Sequence, residues 1–363
     1  MQQYHIPGGS IAIMKNHRLV YSHGLGWSDK ENHIRARATT LFRIASISKT
    51  ITAIAILKLV EEKKLKLDTP VFSILKNIKP YHHLKLNKEA YTITVRNLLN
   101  MTSGWDANQF DPVFDNWPKH YALPTGHESI SGSNITARLA LHLPLKTHPG
   151  KQFSYANLNY CLLGLIINKL TNTPYNYRGY QHFVQRHILQ PLHIYNMHIA
   201  NSNFNQRDPD EAIYYPSEYY NYNDPLFLMD LPYGDDDILQ KNYAAGGWVA
   251  TSIDLARIAE GIKSGKILSK KSFHEMMALP KTLRPYRCNI CTGETTWHYG
   301  MGWFVLSNHQ YSTHGSFTGS NSLLIIRKDG TIFALIFNRR PSPTEKLWAF
   351  RRKLTKIINT AHI

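Results

Sequence analysis

Cysteine is scarce, at three residues in 363, which is too few for a disulfide framework. Cys161 lies in an apolar stretch of helical spacing and reads as core. Cys288-Asn289-Ile290-Cys291 has the spacing of a local disulfide, a redox pair or half a zinc site. No second Cys-x-x-Cys follows and His298 alone does not complete a tetrahedral shell, so a structural or incidental pair is the better reading and no metal or other cofactor is expected. Long apolar runs are also missing. Ile51 to Leu57 and Cys161 to Ile167 are soon broken by Lys58 and Lys169, so both read as buried helices and no transmembrane segment is expected. Met1-Gln2-Gln3-Tyr4-His5 lacks the charged-then-apolar order of a secretory leader. The expectation is therefore a cytoplasmic chain, or a periplasmic or secreted one supplied without its leader.

Acidic residues are few: 25 Asp and Glu stand against 42 Lys and Arg, for a net charge of +17. Such an excess favours anionic partners. The basic residues are nevertheless scattered in pairs such as Lys63-Lys64, Lys270-Lys271 and Arg339-Arg340, with one denser cluster at Arg351, Arg352, Lys353 and Lys356. There is no zinc-finger spacing, RNA-binding aromatic signature or long basic block, which points to a generally basic surface and no specific nucleic-acid site. Hydrophobic residues at 43% and charged residues at 18% exclude a disordered chain.

Several elements are legible. Gly9 to Lys15 and Arg18 to Gly24 read as two strands joined at Asn16-His17. Tyr299 to Leu306, Ser322 to Arg327 and Thr331 to Phe337 read as three more, the last two joined at Lys328-Asp329-Gly330. Ser48 to Glu62, Val95 to Leu99 and Asn157 to Leu170 read as helices. Another starts at Thr251, whose hydroxyl caps the backbone while Asp254 adds negative charge to the first turn. Thr344 to Ile358 has helical spacing with a basic outer face. Loops from Asp106 to Ser133 and from Asn201 to Asp237, rich in Pro, Asn, Asp and Tyr, are expected to frame a cleft. The fold class is α+β, an α/β sandwich: an antiparallel sheet built from both chain ends (1–70 and 240–363), flanked by helices, with a mainly helical insert (71–239) and a cleft between. The sequence sets no oligomeric state.

The chemistry starts at Ser46-Ile47-Ser48-Lys49. Residues three apart on a helix share a face, so the Lys49 amine can lie beside the Ser46 hydroxyl and activate it. Tyr155-Ala156-Asn157, just before a buried helix, can set a phenol beside a carboxamide on a tight turn; the phenol relays protons and the amide orients a lysine or a substrate carbonyl. His314-Gly315-Ser316-Phe317-Thr318-Gly319 is rich in small residues that let backbone groups approach a ligand, as an oxyanion hole or a substrate-pairing strand edge requires.

In this order the three elements resemble the serine β-lactamase and penicillin-binding-protein superfamily, specifically the class C β-lactamase-like branch with its D,D-carboxypeptidase, D-aminopeptidase and family VIII esterase relatives. Ile6-Pro7-Gly8-Gly9, Phe42 to Lys49, Thr94 to Gly104, Ala245-Gly246-Gly247-Trp248, Ser252 to Arg257 and Tyr299-Gly300-Met301-Gly302-Trp303 look like further landmarks, so the resemblance covers almost the whole chain. It implies Ser46 as the acylated nucleophile, Lys49 as its activating amine and Tyr155 as general base and later proton donor. Asn157 would hold Lys49 and the substrate amide, and the N–H groups of Ser46 and Phe317 would form the oxyanion hole. The usual third motif is Lys-Thr-Gly or His-Thr-Gly. Without a gap, His314 takes its cationic position, Gly315 the threonine and Ser316 the glycine; with one inserted residue, Thr313 takes the cationic position. The ungapped register is preferred. Histidine is a weaker carboxylate anchor than lysine, and Ser316 adds a side chain where close approach is expected. The expected activity is a serine hydrolase working through an acyl-enzyme on a small-molecule or peptide carbonyl, peptidase or esterase ranking above true β-lactamase. A catalytically weak scaffold or binding protein is the alternative.

Overall fold

The computed structural model describes residues 1–106, 133–216, 232–233, 238–287 and 295–363. Most of the first expected loop, much of the second, and the Cys288/Cys291 pair lie outside the described residues.

The strands, in chain order, are β1 (Gly8–Lys15), β2 (Arg18–Asp29), β3 (Ile34–Arg35), β4 (Phe42–Arg43), β5 (His198–Ile199), β6 (Trp248–Ala250), β7 (Tyr286–Arg287), β8 (Thr296–Tyr299), β9 (Phe304–Leu306), β10 (Tyr311–Phe317), β11 (Ser320–Ile326) and β12 (Ile332–Phe337). Nine of them form one antiparallel sheet in the order β3-β2-β1-β12-β11-β10-β9-β8-β7, so the first and last parts of the chain meet at β1 and β12. A small second sheet, β4-β6-β5, lies beside it.

Successive side chains of a strand point to opposite faces, and β11 and β12 are buried on both. Leu324, Ile326, Ile332, Ala334 and Ile336 join the main core around the Ser48–Glu61 helix. Their neighbours Leu323, Ile325, Phe333, Leu335 and Phe337 form a second core with Phe350 and Ile358 of the C-terminal helix Thr344–Thr360. The sheet is therefore covered on both sides by helices, which explains its near-continuous apolar runs. Helix Ser48–Glu61 is buried all round from Ser48 to Leu57, its apolar residues joined there by Ser48, Lys49, Thr50 and Thr52.

Two expectations need correction. The single strand expected from Tyr299 to Leu306 is split into β8 and β9 by the turn Gly300–Trp303. Gly302 there has φ 81° and its carbonyl accepts a 2.8 Å bond from Thr50 Oγ1, which pins the turn over the start of the Ser48–Glu61 helix. The C-terminal helix does not turn its whole basic cluster outward: Arg352, Lys353 and Lys356 are exposed, but Arg351 is buried against β10 and β11.

The Ser252–Lys263 helix packs on β1 and β12 and opens with the expected cap. Thr251 Oγ1 accepts from Asp254 N at 3.1 Å, and Asp254 Oδ2 accepts from Thr251 N at 3.1 Å. Thr251→Ala removes one half of this exchange and is expected to lower stability by about 1 kcal/mol. The check is a urea titration, in which the midpoint falls with unchanged slope.

Candidate active site

Ser46 does not lie in a regular α-helix, as the spacing argument assumed; it sits in a 3-10 turn, Ala45–Ile47, just ahead of the Ser48–Glu61 helix. Side chains three apart nearly eclipse in such a turn, so the pairing with Lys49 survives. The Lys49 Nζ donates to Ser46 Oγ at 3.0 Å. Ala45, directly before the serine, has φ 45°. A left-handed alanine costs roughly 1–2 kcal/mol, and it persists because its surroundings leave no alternative. Ile44 N donates to Trp248 O at 3.0 Å, and Ile44 O accepts from Ser322 Oγ at 2.8 Å. One residue further back, Arg43 N donates to Tyr214 Oη at 2.6 Å while the buried guanidinium meets Glu211 Oε1 at 3.3 Å.

Lys49 is 1% exposed, and a buried ammonium needs an acceptor for each N–H. Besides Ser46 it donates to Asn157 Oδ1 at 2.8 Å and to Ala245 O at 2.7 Å. Asn157 is the first residue of the Asn157–Leu170 helix, preceded by the extended Ala156. That break in direction carries Tyr155 back over Ser46, and the phenol donates to Ser46 Oγ at 2.8 Å. Lys49 Nζ lies 5.0 Å from the centre of the Tyr155 ring. The turn is held from behind by the Thr94–Gly104 landmark: Ser154 N donates to Met101 O at 2.9 Å and Gly150 N to Thr102 O at 2.7 Å.

β10 forms the third wall. It pairs along its length with β11, and β9 pairs with it at Tyr311 and Ser312. Thr313, Gly315 and Phe317 share the inward face. Close approach falls on Gly315 and not on Ser316: a Cβ at Gly315 would lie 2.0 Å from the Ile44 carbonyl oxygen. Ser316 points outward, where a side chain is tolerated. Thr313 is buried, and Phe317 packs on Leu41, Ala200, Leu239 and Val249. His314 also points outward, half-buried, with its ring 4.8 Å from Phe304 in a near-parallel stack and 5.5 Å from the edge of Trp348. Desolvation, then the positive Arg351 and Lys49, hold this imidazole well below its ordinary range, so it is neutral at pH 7.

The structure thus brings Ser46, Lys49, Tyr155 and Asn157 into one hydrogen-bonded cluster, with Gly315 against the turn that carries Ser46. Sequence reasoning missed the Ala245 carbonyl, which no side-chain pattern reveals, although Ala245-Gly246-Gly247-Trp248 stood out as a landmark. It also missed the Arg43–Glu211 pair, whose members are distant in sequence.

Fold and cluster together define a β-lactamase/transpeptidase-like protein. The chain belongs to the β-lactamase family, whose model matches residues 1–356. "Protein flp" of Staphylococcus aureus (strain NCTC 8325 / PS 47) is 31% identical over 211 residues, covering 57% of this chain and 38% of that protein. The match thus spans well under half the length of that relative. The "Putative penicillin-binding protein PbpX" of Bacillus subtilis (strain 168) is 25% identical over 97% of this chain and 75% of its own. Among solved structures, an octameric penicillin-binding protein homologue from Pyrococcus abyssi superposes with TM-score 0.70 at 25% identity, covering 98% of this chain and 75% of that one. A D-amino acid amidase from Ochrobactrum anthropi SV3 superposes with TM-score 0.70 at 22% identity, covering 98% and 94%.

Two outcomes are expected here. Gly315→Ala drives a methyl into a backbone carbonyl and should cost about 1–3 kcal/mol in a denaturant titration. For His314 the unfolded chain binds a proton below its ordinary pKa of about 6.5 while the folded chain does not, so this group makes stability fall as pH drops below that value. His314→Gln should lose less melting temperature than wild type when both are acidified through that window.

Proposed function

We propose that this chain is a serine hydrolase that forms and hydrolyses an acyl-enzyme on a peptide, amide or ester carbonyl of a small molecule or peptide. The observation that carries the reading is the double contact on one hydroxyl: Ser46 Oγ lies 3.0 Å from Lys49 Nζ and 2.8 Å from Tyr155 Oη. The three ammonium donors of Lys49 are occupied by Ser46, Asn157 and Ala245, so Lys49 orients and polarises the hydroxyl. As the phenolate, beside the Lys49 ammonium, Tyr155 is then the group placed to take the Ser46 proton.

In this reading Ser46 Oγ bonds to the substrate carbonyl carbon as its proton passes to Tyr155. The carbonyl oxygen becomes an oxyanion held by the N–H groups of Ser46 and Phe317. Collapse breaks the bond to the amine or alcohol, which leaves with the proton from Tyr155. Water then attacks the ester, giving a proton back to Tyr155 and, on collapse, restoring the Ser46 hydroxyl. Asn157 holds Lys49 and offers its amide N–H to the substrate, while β10 from His314 to Phe317 lines the substrate. A neutral, stacked His314 presents a hydrogen bond in place of a fixed charge, which supports peptidase or esterase activity above true β-lactam hydrolysis.

The test is labelling with a fluorophosphonate probe followed by intact mass measurement. Wild type should gain one adduct and Ser46→Ala none, and Tyr155→Phe should slow labelling about 10²–10⁴-fold. An unlabelled wild type, or an adduct that survives Ser46→Ala, sinks the assignment. A protein that is labelled but does not turn over p-nitrophenyl esters would instead be the weak scaffold or binding protein.

A further inference from the structure

The arginine three residues before Ser46 is held by both its backbone and its side chain, in a buried cluster that the acyl-transfer scheme leaves unused. Arg43 is 1% exposed. Its N–H donates to Tyr214 Oη at 2.6 Å, and that hydroxyl donates in turn to Glu211 Oε1 at 2.7 Å. The same carboxylate oxygen lies 3.3 Å from Arg43 Nε, which closes a ring through the three residues. The other guanidinium nitrogens donate to the carbonyls of Pro232 and Asn201, and the ring centres of Tyr214 and Tyr233 lie 4.4 and 4.9 Å from the guanidinium carbon. Burial holds the Tyr214 phenol well above its ordinary range. It therefore keeps its one hydrogen for Glu211 and presents a lone pair to the Arg43 N–H.

Tyr214 also touches the opposite wall. A Cβ built on Gly319 would lie 2.6 Å from the Tyr214 Cβ, and Gly319 has φ 74°, so the tyrosine packs directly on a backbone turn that suits glycine. Thr318 and Gly319 join β10 to β11 immediately after Phe317. One side chain thus spans from β4, whose chain continues through Ile44 and Ala45 to Ser46, to the turn that follows Phe317. These two segments carry the oxyanion donors. Their N–H groups must converge on one oxygen at about 2.7–3.1 Å, so the spacing between the segments is a catalytic quantity. Ser322 Oγ constrains it from β11 through Ile44 O, and Tyr214 constrains it from the other side through Arg43 N.

We propose that Tyr214, held by Glu211 and Arg43, is a positioning residue that sets the distance between the two oxyanion-hole donors, the N–H groups of Ser46 and Phe317, a role that rests on the serine-hydrolase reading. Removing its hydroxyl leaves the Arg43 N–H without this acceptor and loosens the turn that bears Ser46 against β10. Ser46, Lys49 and Tyr155 keep their mutual contacts. The loss therefore falls on stabilisation of the oxyanion in the transition state, and not on activation of the nucleophile.

The test uses the full chain and Tyr214→Phe, which keeps the ring and its contact with Gly319. p-Nitrophenyl benzoate is compared with p-nitrophenyl thionobenzoate, in which sulfur, a weaker hydrogen-bond acceptor, replaces the carbonyl oxygen. Both release the same phenol. On the ester, Tyr214→Phe should lower kcat/KM about tenfold, less than the roughly 10²–10³-fold that follows outright loss of an oxyanion donor. The thionoester gains little from the hole, so its kcat/KM should change by less than about twofold and the ester-to-thionoester ratio should fall several-fold. Glu211→Gln, which weakens the hold on Arg43 and Tyr214 together, should move the ratio in the same direction and serves if Tyr214→Phe does not fold. Equal losses on both substrates, or no loss on either, mean that the cluster supports the fold alone and overturn the proposal. Ser46 labelling with an unchanged ratio sinks this role and leaves the hydrolase standing; a wild type that is neither labelled nor active on either substrate sinks both.

Discussion

The buried ammonium of Lys49 is the constraint on which the site depends. A charge held at 1% exposure is tolerable only when every N–H has an acceptor. Its three acceptors come from three separate segments: the Ser46 turn, the start of the Asn157–Leu170 helix and the Ala245 carbonyl. Satisfying one side chain therefore fixes three backbone segments relative to one another. Tyr155 follows, because it is two residues from Asn157 and across an extended link, and its phenol falls on the same serine oxygen.

The sheet supplies the rigid frame for that cluster. β10 meets the Ser46 turn closely enough that Gly315 has no room for a Cβ, and Ser322 on β11 ties the same Ile44 carbonyl by its hydroxyl. This contact crosses from the last third of the chain to the first, and the strained Ala45 is maintained by it. Period-two alternation divides the work of the strand. Its inward residues pack against the turn, and its outward residues, His314 and Ser316, face the C-terminal helix.

That division alters the electrostatics expected of the third motif. His314 takes the cationic position in the preferred register, yet it is stacked between aromatic rings and kept neutral by burial and by two neighbouring cations. The fixed positive charge lies one layer deeper, at Arg351, on an element outside the motif.

Much of this was legible from residues alone. Apolar periodicity placed the Ser48–Glu61 and Asn157–Leu170 helices, Thr251 and Asp254 marked the cap of the Ser252–Lys263 helix, and Ser46 with Lys49, and Tyr155 with Asn157, stood at spacings that local geometry sets side by side. These are short-range properties, written in propensity and pattern. Tertiary structure decided the rest: that Ala245 closes the Lys49 shell, that Gly315 is the close-approach glycine, that Gly302 breaks a strand, and that Arg351 leaves the basic surface for the interior. Each joins segments far apart in the chain through backbone carbonyls or burial, and neither a carbonyl's direction nor the side of a helix that meets a sheet is encoded in any single stretch of sequence.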